Sequence, residues 1–253
     1  MPRSKQTPLA KHYDEKYEIN NLLEIGIDEA GRGPLFGRVY TAAVILPKHD
    51  NFDFKKMKDS KKFSSEKKIN EVAEHIKEHA VAWAVTYNDE TTIDKINIRQ
   101  SVLKSMHESI RTVITDTSYA TDSYGNIVED KEDKEDNEDN MHGKSESSYF
   151  LLVDGNDFRP YMRYTEEGLM PVNHVCIEGG DNKYCAIAAA SILAKTERDK
   201  YIHDLCKENP ELVDKYGIDK NKGYGTKQHI DGIKNNGISK WHRKSYGICK
   251  DYC

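Results

Sequence analysis

What the chain lacks narrows it first. Its 253 residues hold no apolar run near the roughly 20 residues that span a bilayer, so no membrane is expected as a partner. The segment Met1 to Asn20 is polar and has no apolar stretch of the signal-peptide kind, and Asp14, Glu15 and Glu18 argue against a basic transit peptide. Five cysteines (Cys176, Cys185, Cys206, Cys249, Cys253) make an odd count with no C-x-x-C pair. They read as reduced thiols in a cytosolic or nuclear compartment, the cytoplasm being the expectation, and no zinc site is expected from them. No internal repeat breaks the chain into units.

Positive charge is also short. The net charge is −5, which argues against a nucleic-acid partner until its placement is considered. Tyr119 to Ser148 carries ten Asp/Glu and three Lys, a net −7, so the rest of the chain is +2. Lys195 to Cys253 holds thirteen Lys/Arg against nine Asp/Glu, with three histidines. Outside one segment the protein is mildly basic, most so toward its C-terminus, which permits a nucleic-acid partner.

What is present reads as an α/β domain. Residues 1–20 are expected to be a flexible arm. Leu22 to Ile27 reads as a buried strand and Val39 to Leu46 as its partner. A helix is expected from Ser64 or Ser65, either able to cap it, with Ile69, Val72, Ala73, Ile76 and Ala80 at helical spacing. Val81 to Val85 reads as a short strand, and one helix is expected from about Asp94 to Ile114. The run Glu129 to Asp139 is charged and without apolar anchors, so a disordered insertion over about 119–148 is expected. Tyr149 to Val153 and Val172 to Ile177 read as strands. A helix then carries Ala186 to Lys195 and Arg198-Asp199. The expected organisation is an arm (1–20), a catalytic domain (21–205) and a basic substrate-binding region (206–253).

The chemistry concentrates at element ends. Asp28 and Glu29 close the first strand, Asp154 closes the strand 149–153, and Asp181 precedes a helix. Carboxylates raise one another's pKa, so four that converge call for cations. Oxygen-only ligands favour Mg2+ or Mn2+, and two such ions about 4 Å apart can activate water and stabilise a leaving oxygen in phosphoryl transfer. Taken singly, Asp181 also reads as an ordinary helix cap. The turn Gly31-Arg32-Gly33 lets backbone N–H groups approach a ligand while the arginine grips a phosphate. Lys61 and Lys62 can neutralise phosphates. Lys195 and Asp199, four apart on a helix, can pair with each other. His229 and His242 read as packing or surface histidines, Trp83 as core and Tyr224 as a loop aromatic.

The motifs Asp28-Glu-Ala-Gly-Arg-Gly-Pro34, Asp59-Ser-Lys-Lys62, Leu152-Val-Asp-Gly-Asn156, Ala189-Ala-Ser-Ile-Leu-Ala-Lys195, Lys222-Gly-Tyr-Gly-Thr226 and His242-Arg-Lys-Ser245 fall in one order. Together they resemble ribonuclease HII, of the type 2 ribonuclease H family, over most of residues 22–247. The resemblance implies a ribonuclease H-like mixed sheet flanked by helices, with a helical basic C-terminal region. It implies cleavage of the RNA strand of RNA/DNA hybrids and incision of DNA 5′ to an embedded ribonucleotide by a protein acting as a monomer. It implies Asp28, Glu29, Asp154 and Asp181 as the metal-binding catalytic set. The substrate-binding positions it implies are Gly31, Arg32, Gly33, Lys61, Lys62, Ser191, Lys195 and Tyr224. In such proteins the Gly-Arg-Gly turn reads the ribonucleotide 2′-OH, and the tyrosine packs on the neighbouring deoxyribose. The chain departs from the family pattern at Gly179, often lysine there, in a long Asp154–Asp181 connection, and in the arm and acidic insertion. Two further readings stay open: a nuclease of the same fold with another substrate, and a non-catalytic nucleic-acid-binding subunit.

Overall fold

The computed structural model describes residues 8–13, 22–48, 52–117 and 148–253. The expected acidic insertion lies outside the described residues apart from Ser148. Five strands form the central sheet: β1 (Leu22–Ala30), β2 (Val39–Ile45), β3 (Ala82–Asn88), β4 (Ser148–Asp154) and β7 (Asn173–Ile177), in the order β3-β2-β1-β4-β7. β1, β2 and β3 pair antiparallel, whereas β4 lies parallel to both β1 and β7. The sheet is therefore mixed, and its central strands are covered on both faces. This is why β1, β2 and β4 read as near-continuous apolar runs rather than alternating ones.

One face is covered by α1 (Glu66–His79) and α4 (Cys185–Glu208). Ser65 caps α1, its hydroxyl accepting from the Lys68 N–H at 3.3 Å. Ala186, Ala188, Ala189 and Ala190 make α4 narrow enough to lie directly on β1. At the crossing a Cβ on Gly26 would overlap the Ala186 backbone. The other face is covered by α2 (Glu90–Ile96) and α3 (Ile98–Thr117). One helix was expected here. It breaks at Asn97, whose backbone turns left-handed (φ 65°) while its side chain accepts from the Gln100 N–H at 3.1 Å and starts α3. The Asn97 amide offsets part of that strain by satisfying the local backbone.

A hairpin not expected from the sequence, β5 (Met162–Thr165) and β6 (Gly168–Pro171), fills the connection between Asp154 and Asp181 and accounts for its length. Met162, Tyr164, Leu169 and Met170 are exposed on it, so it carries no burial pattern to read. Within the arm expected to be flexible, residues 8–13 are held against the domain. The Ala10 N–H donates to the Lys183 carbonyl at 2.8 Å, the Cys185 N–H donates to that of Ala10 at 2.9 Å, and Tyr13 stacks on Phe150. The backbone bonds leave no mark in the composition, and Tyr13 alone does not name its ring partner.

The C-terminal region folds as α5 (Glu211–Tyr216), α6 (Ile218–Asn221) and α7 (Lys227–Asn236), followed by a final 3-10 turn. Their apolar cluster also takes in Phe36, fully buried, from the turn between β1 and β2. The region is thus packed onto that turn, and α4 runs through the 205/206 boundary without interruption.

Candidate active site

The acids gather at the carboxyl ends of the two central parallel strands. Ile27 of β1 pairs with Val153 of β4, so the following residues, Asp28 and Asp154, fall side by side. Asp181 sits in a short 3-10 turn after β7, the next strand over, where the Gly180 N–H donates to Asp154 Oδ1 at 2.7 Å. Asp28 and Asp181 are buried, and Glu29 is largely so.

Burial alone makes such a group costly to ionise, and neighbours of like charge add to the cost. Asp28 is held well above the usual carboxylate range by burial, then by Glu29 and Asp154. A hydrogen bond from Ser191 and one from the Glu29 N–H, at 2.7 Å, pull it partly back. Burial raises Glu29, against the Arg32 guanidinium 3.4 Å from it. Burial, Asp59 and Asp154 raise Asp181, and Lys61 opposes them. Cations already in the chain offset only part of this repulsion.

Around the acids the structure brings together most of the residues singled out from the sequence. Ser191, on α4, hydrogen-bonds Asp28 and lies 3.0 Å from the Ser60 hydroxyl. Lys61 and Lys62 stand exposed on a 3-10 turn capped by Asp59, and Lys62 Nζ donates to Asn182 Oδ1. Tyr224 is half exposed and faces the turn: a Cβ on Gly33 would lie 3.7 Å from its ring. Arg32 reaches out at the surface beside Glu29. Gly31 has φ +90°, and a side chain there would overlap Arg198. Lys195 is paired with Asp199 at 2.5 Å, the helical partnership its spacing allowed.

Four residues were not singled out from the sequence. Asn182 donates to both Asp181 Oδ1 (3.0 Å) and Asp59 Oδ2 (3.2 Å), which ties a fifth, buried acid to the site. The fully buried Arg243 guanidinium donates to the carbonyls of Gly31, Arg32, Pro34, Gly37 and Arg38, and the Tyr246 hydroxyl donates to that of Arg32. Five carbonyls on one guanidinium fix the path of the whole Gly31–Arg38 turn from more than two hundred residues away in sequence. The signal for it was only the motif His242-Arg-Lys-Ser245, which named no partner.

Solved structures share this architecture. They include the ribonuclease H2 of Pyrococcus horikoshii OT3 (TM-score 0.58, 18% identity, 91% of this chain and 96% of that one). Another is the PCNA:RNase HII complex of Archaeoglobus fulgidus (TM-score 0.58, 22% identity, 89% and 95%). A third is Bst-RNase HIII with Mn2+ (TM-score 0.58, 15% identity, 93% and 70%). The fold is therefore that of the type 2 ribonucleases H. A family model described as Ribonuclease HII matches residues 25–139 and 138–249. Ribonuclease HII of Neisseria gonorrhoeae is 35% identical over 226 residues (89% of this chain, 93% of that protein), and that of Parabacteroides distasonis is 37% identical over 232 (92% and 94%). The chain belongs to the ribonuclease HII family. It is an endoribonuclease, a phosphodiester hydrolase that cleaves the RNA strand of RNA/DNA hybrids and incises DNA at embedded ribonucleotides. Its family depends on a divalent metal.

The residues fit such an ion by their chemistry. The donors are all oxygens, and Asp154 and Asp181 are each anchored through Oδ1, which leaves Oδ2 to offer. Among the described residues no group of three or more His, Cys, Asp or Glu side chains stands placed to hold a metal ion. No helix of the described residues is long and apolar enough to cross a membrane.

Proposed function

We propose that Asp28, Glu29, Asp154 and Asp181 are the catalytic, metal-holding set, and that Mg2+ or Mn2+ is the ion. The observation that carries this reading is the adjacency of Asp28 and Asp154 at the ends of paired parallel strands, with the turn bearing Asp181 hydrogen-bonded to Asp154. When bound, divalent ions supply an activated water and charge stabilisation for the leaving oxygen. The chain's own residues do the rest. Ser191 and the Glu29 N–H orient the Asp28 carboxylate, the Gly180 N–H orients Asp154, and Asn182 orients Asp181. Lys61 and Lys62 meet phosphates of the strand to be cut. Lys195, paired with Asp199, supports the α4 face of the site.

Substrate choice follows from the turn and the tyrosine. Gly31, Arg32 and Gly33 present backbone groups to a ribonucleotide 2′-OH, a reading that rests on Arg243 holding that turn in one conformation. Tyr224, beside Gly33, packs on the adjoining sugar where it lacks a 2′-OH. Cleavage on the 5′ side of a lone ribonucleotide, leaving 3′-OH and 5′-phosphate, is the expected product pattern. The protein acts as a monomer in the cytoplasm.

The test is a DNA duplex with one ribonucleotide, assayed with Mg2+, with Mn2+ and with EDTA, beside an all-DNA duplex and a continuous hybrid. Incision at the lone ribonucleotide with either metal, lost in EDTA and absent from all-DNA, is the expected result. Tyr224→Ala should reduce that incision more than hybrid cleavage. A wild type that cuts only continuous RNA tracts would overturn the junction-reading model.

A further inference from the structure

Two fully buried histidines stand behind Tyr224. His229 is on the first turn of α7, and His242 lies in the segment that bridges Phe36. Both are essentially without exposure, packed edge-on against Phe36 and Tyr216. Their Nε2 atoms are 3.0 Å apart. Two buried imidazoles in contact are a packing accident only if their other nitrogens go nowhere, and here all four are engaged.

The hydrogen bonds fix which nitrogen carries each proton. The Ser239 backbone N–H, which can only donate, points at His242 Nδ1 from 2.9 Å, and the Ser239 hydroxyl lies 2.8 Å from the same atom. That nitrogen is therefore an acceptor, and the His242 proton sits on Nε2. It is donated to His229 Nε2, which leaves the His229 proton on Nδ1. His229 Nδ1 is 2.9 Å from the Tyr224 carbonyl and donates to it. A single directed chain thus runs from the Ser239 amide through both rings to the backbone of Tyr224. The residue after His242 is Arg243, whose N–H donates to the Leu35 carbonyl at 2.8 Å and whose guanidinium holds the Gly31–Arg38 turn.

We propose that His229 and His242 are a positioning pair that holds Tyr224 in register with the Gly31–Arg32–Gly33 turn, and so sets the preference for a lone ribonucleotide over a continuous RNA tract. The inference rests on the reading of Tyr224 given above. The pair touches no reacting atom. It acts on the tyrosine's backbone, and the same short segment locks the turn the tyrosine faces. The two halves of the junction reader are thereby referenced to one internal link. Ring burial supports this: both histidines are held below their ordinary pKa, His242 to about 3, so both stay neutral and the directed chain stays closed at neutral pH.

The experiment separates positioning from packing. Asparagine places its amide near the Nδ1 position of histidine, and glutamine places its amide near Nε2. His229→Asn keeps a donor for the Tyr224 carbonyl and loses the contact with His242; His229→Gln does the reverse. For wild type, His229→Asn, His229→Gln, Tyr224→Ala and the double variant His229→Gln/Tyr224→Ala, kcat and KM are measured on a lone-ribonucleotide duplex and on a continuous hybrid, with melting temperatures alongside. His229→Gln should lower the ratio of the two kcat/KM values by about tenfold, short of the roughly hundredfold that a 1 Å misplacement can cost. His229→Asn, which keeps the donor to the Tyr224 carbonyl but cuts the link to His242, should lower the ratio as well, though by less, and neither loss should track melting temperature. In the double variant the glutamine should cost no further selectivity beyond Tyr224→Ala. A ratio unchanged in His229→Gln while Tyr224→Ala loses it overturns the pair's role and leaves the tyrosine's standing. An unchanged ratio in Tyr224→Ala overturns the tyrosine reading, and the positioning inference with it. A ratio that follows melting temperature in both His229 variants overturns positioning in favour of packing.

Discussion

At the scale of single residues, the site is a set of charges that oppose the fold. Asp28 is buried against Glu29 and Asp154 and is relieved only by Ser191 and one N–H. Asp28→Asn keeps the shape and removes the charge. Cleavage should fall by roughly 10³-fold or more, the scale on which groups that stabilise transition-state charge are felt. The metal-free protein should melt higher, because a buried like-charge repulsion is gone. Cleavage assays with Mg2+ and melting curves in EDTA check both halves, and full activity in the variant would remove Asp28 from the set. The placement of Asp28, Glu29 and Asp154 was legible in the sequence because they stand where apolar runs stop, whereas Asp181 taken singly read as a helix cap. Asp59 and Asn182 were not legible, since nothing in a one-dimensional string says that the two turns bearing them meet. Arg243 was missed for the same reason: its partners are backbone carbonyls, which leave no mark in the sequence.

At the scale of elements, burial on both faces made the central strands readable and exposure hid the β5–β6 hairpin. The break between α2 and α3 turned on one residue, Asn97, whose left-handed backbone no periodicity reveals. The least readable element, the C-terminal segment around α7, holds the titration most open to test. His229 and His242 are depressed chiefly by burial, and His242 further by its partner. The groups around them do not supply a counter-charge: Phe36 and Trp241 are apolar, the Tyr216 hydroxyl is committed to the Gly237 carbonyl, and Arg243 is turned to the backbone of the turn. Below an ordinary histidine pKa of about 6.5 the unfolded chain takes up protons that the native rings refuse. Stability contributed by the pair is therefore whole above that pH and is lost as pH falls toward about 3 for His242. The slope is up to about 1.4 kcal/mol per pH unit for each ring. Asp28, Glu29 and Asp181, raised in the folded state, titrate in the opposite sense. The expected signal is therefore the difference between wild type and His242→Gln. Urea unfolding from pH 4.5 to 7.5 should show the wild type losing stability on acidification more steeply than the variant, and parallel curves would show that the pair is not neutral in the native state.

At the scale of the whole molecule, the distribution of charge is at odds with the substrate. A chain of net −5 handles a polyanion because −7 of charge is confined to Tyr119–Ser148, and the remainder is +2. That segment joins α3, which ends at Thr117, to β4, which begins at Ser148. β4 carries Asp154 at its other end, so the segment is rooted one strand length from the acids, about 20 Å for a strand of this kind. At physiological ionic strength the Debye length is about 8 Å, and repulsion between the segment's roots and a bound duplex is mostly screened. At 0.01 M salt it is about 30 Å, and the repulsion spans the gap. Deleting Ser123 to Ser145 should accordingly tighten hybrid binding several-fold at low salt and leave it nearly unchanged near 0.15 M, by the electrostatic logic of phosphate binding. Melting temperature and kcat on the hybrid should hold, because the deleted run has no apolar anchors with which to pack. Binding titrations of full-length and deleted protein across a salt series decide the matter. A gain that persists undiminished at 0.15 M would mean that the segment blocks the site by contact rather than by its field. A large fall in melting temperature would mean that it is part of the folded domain.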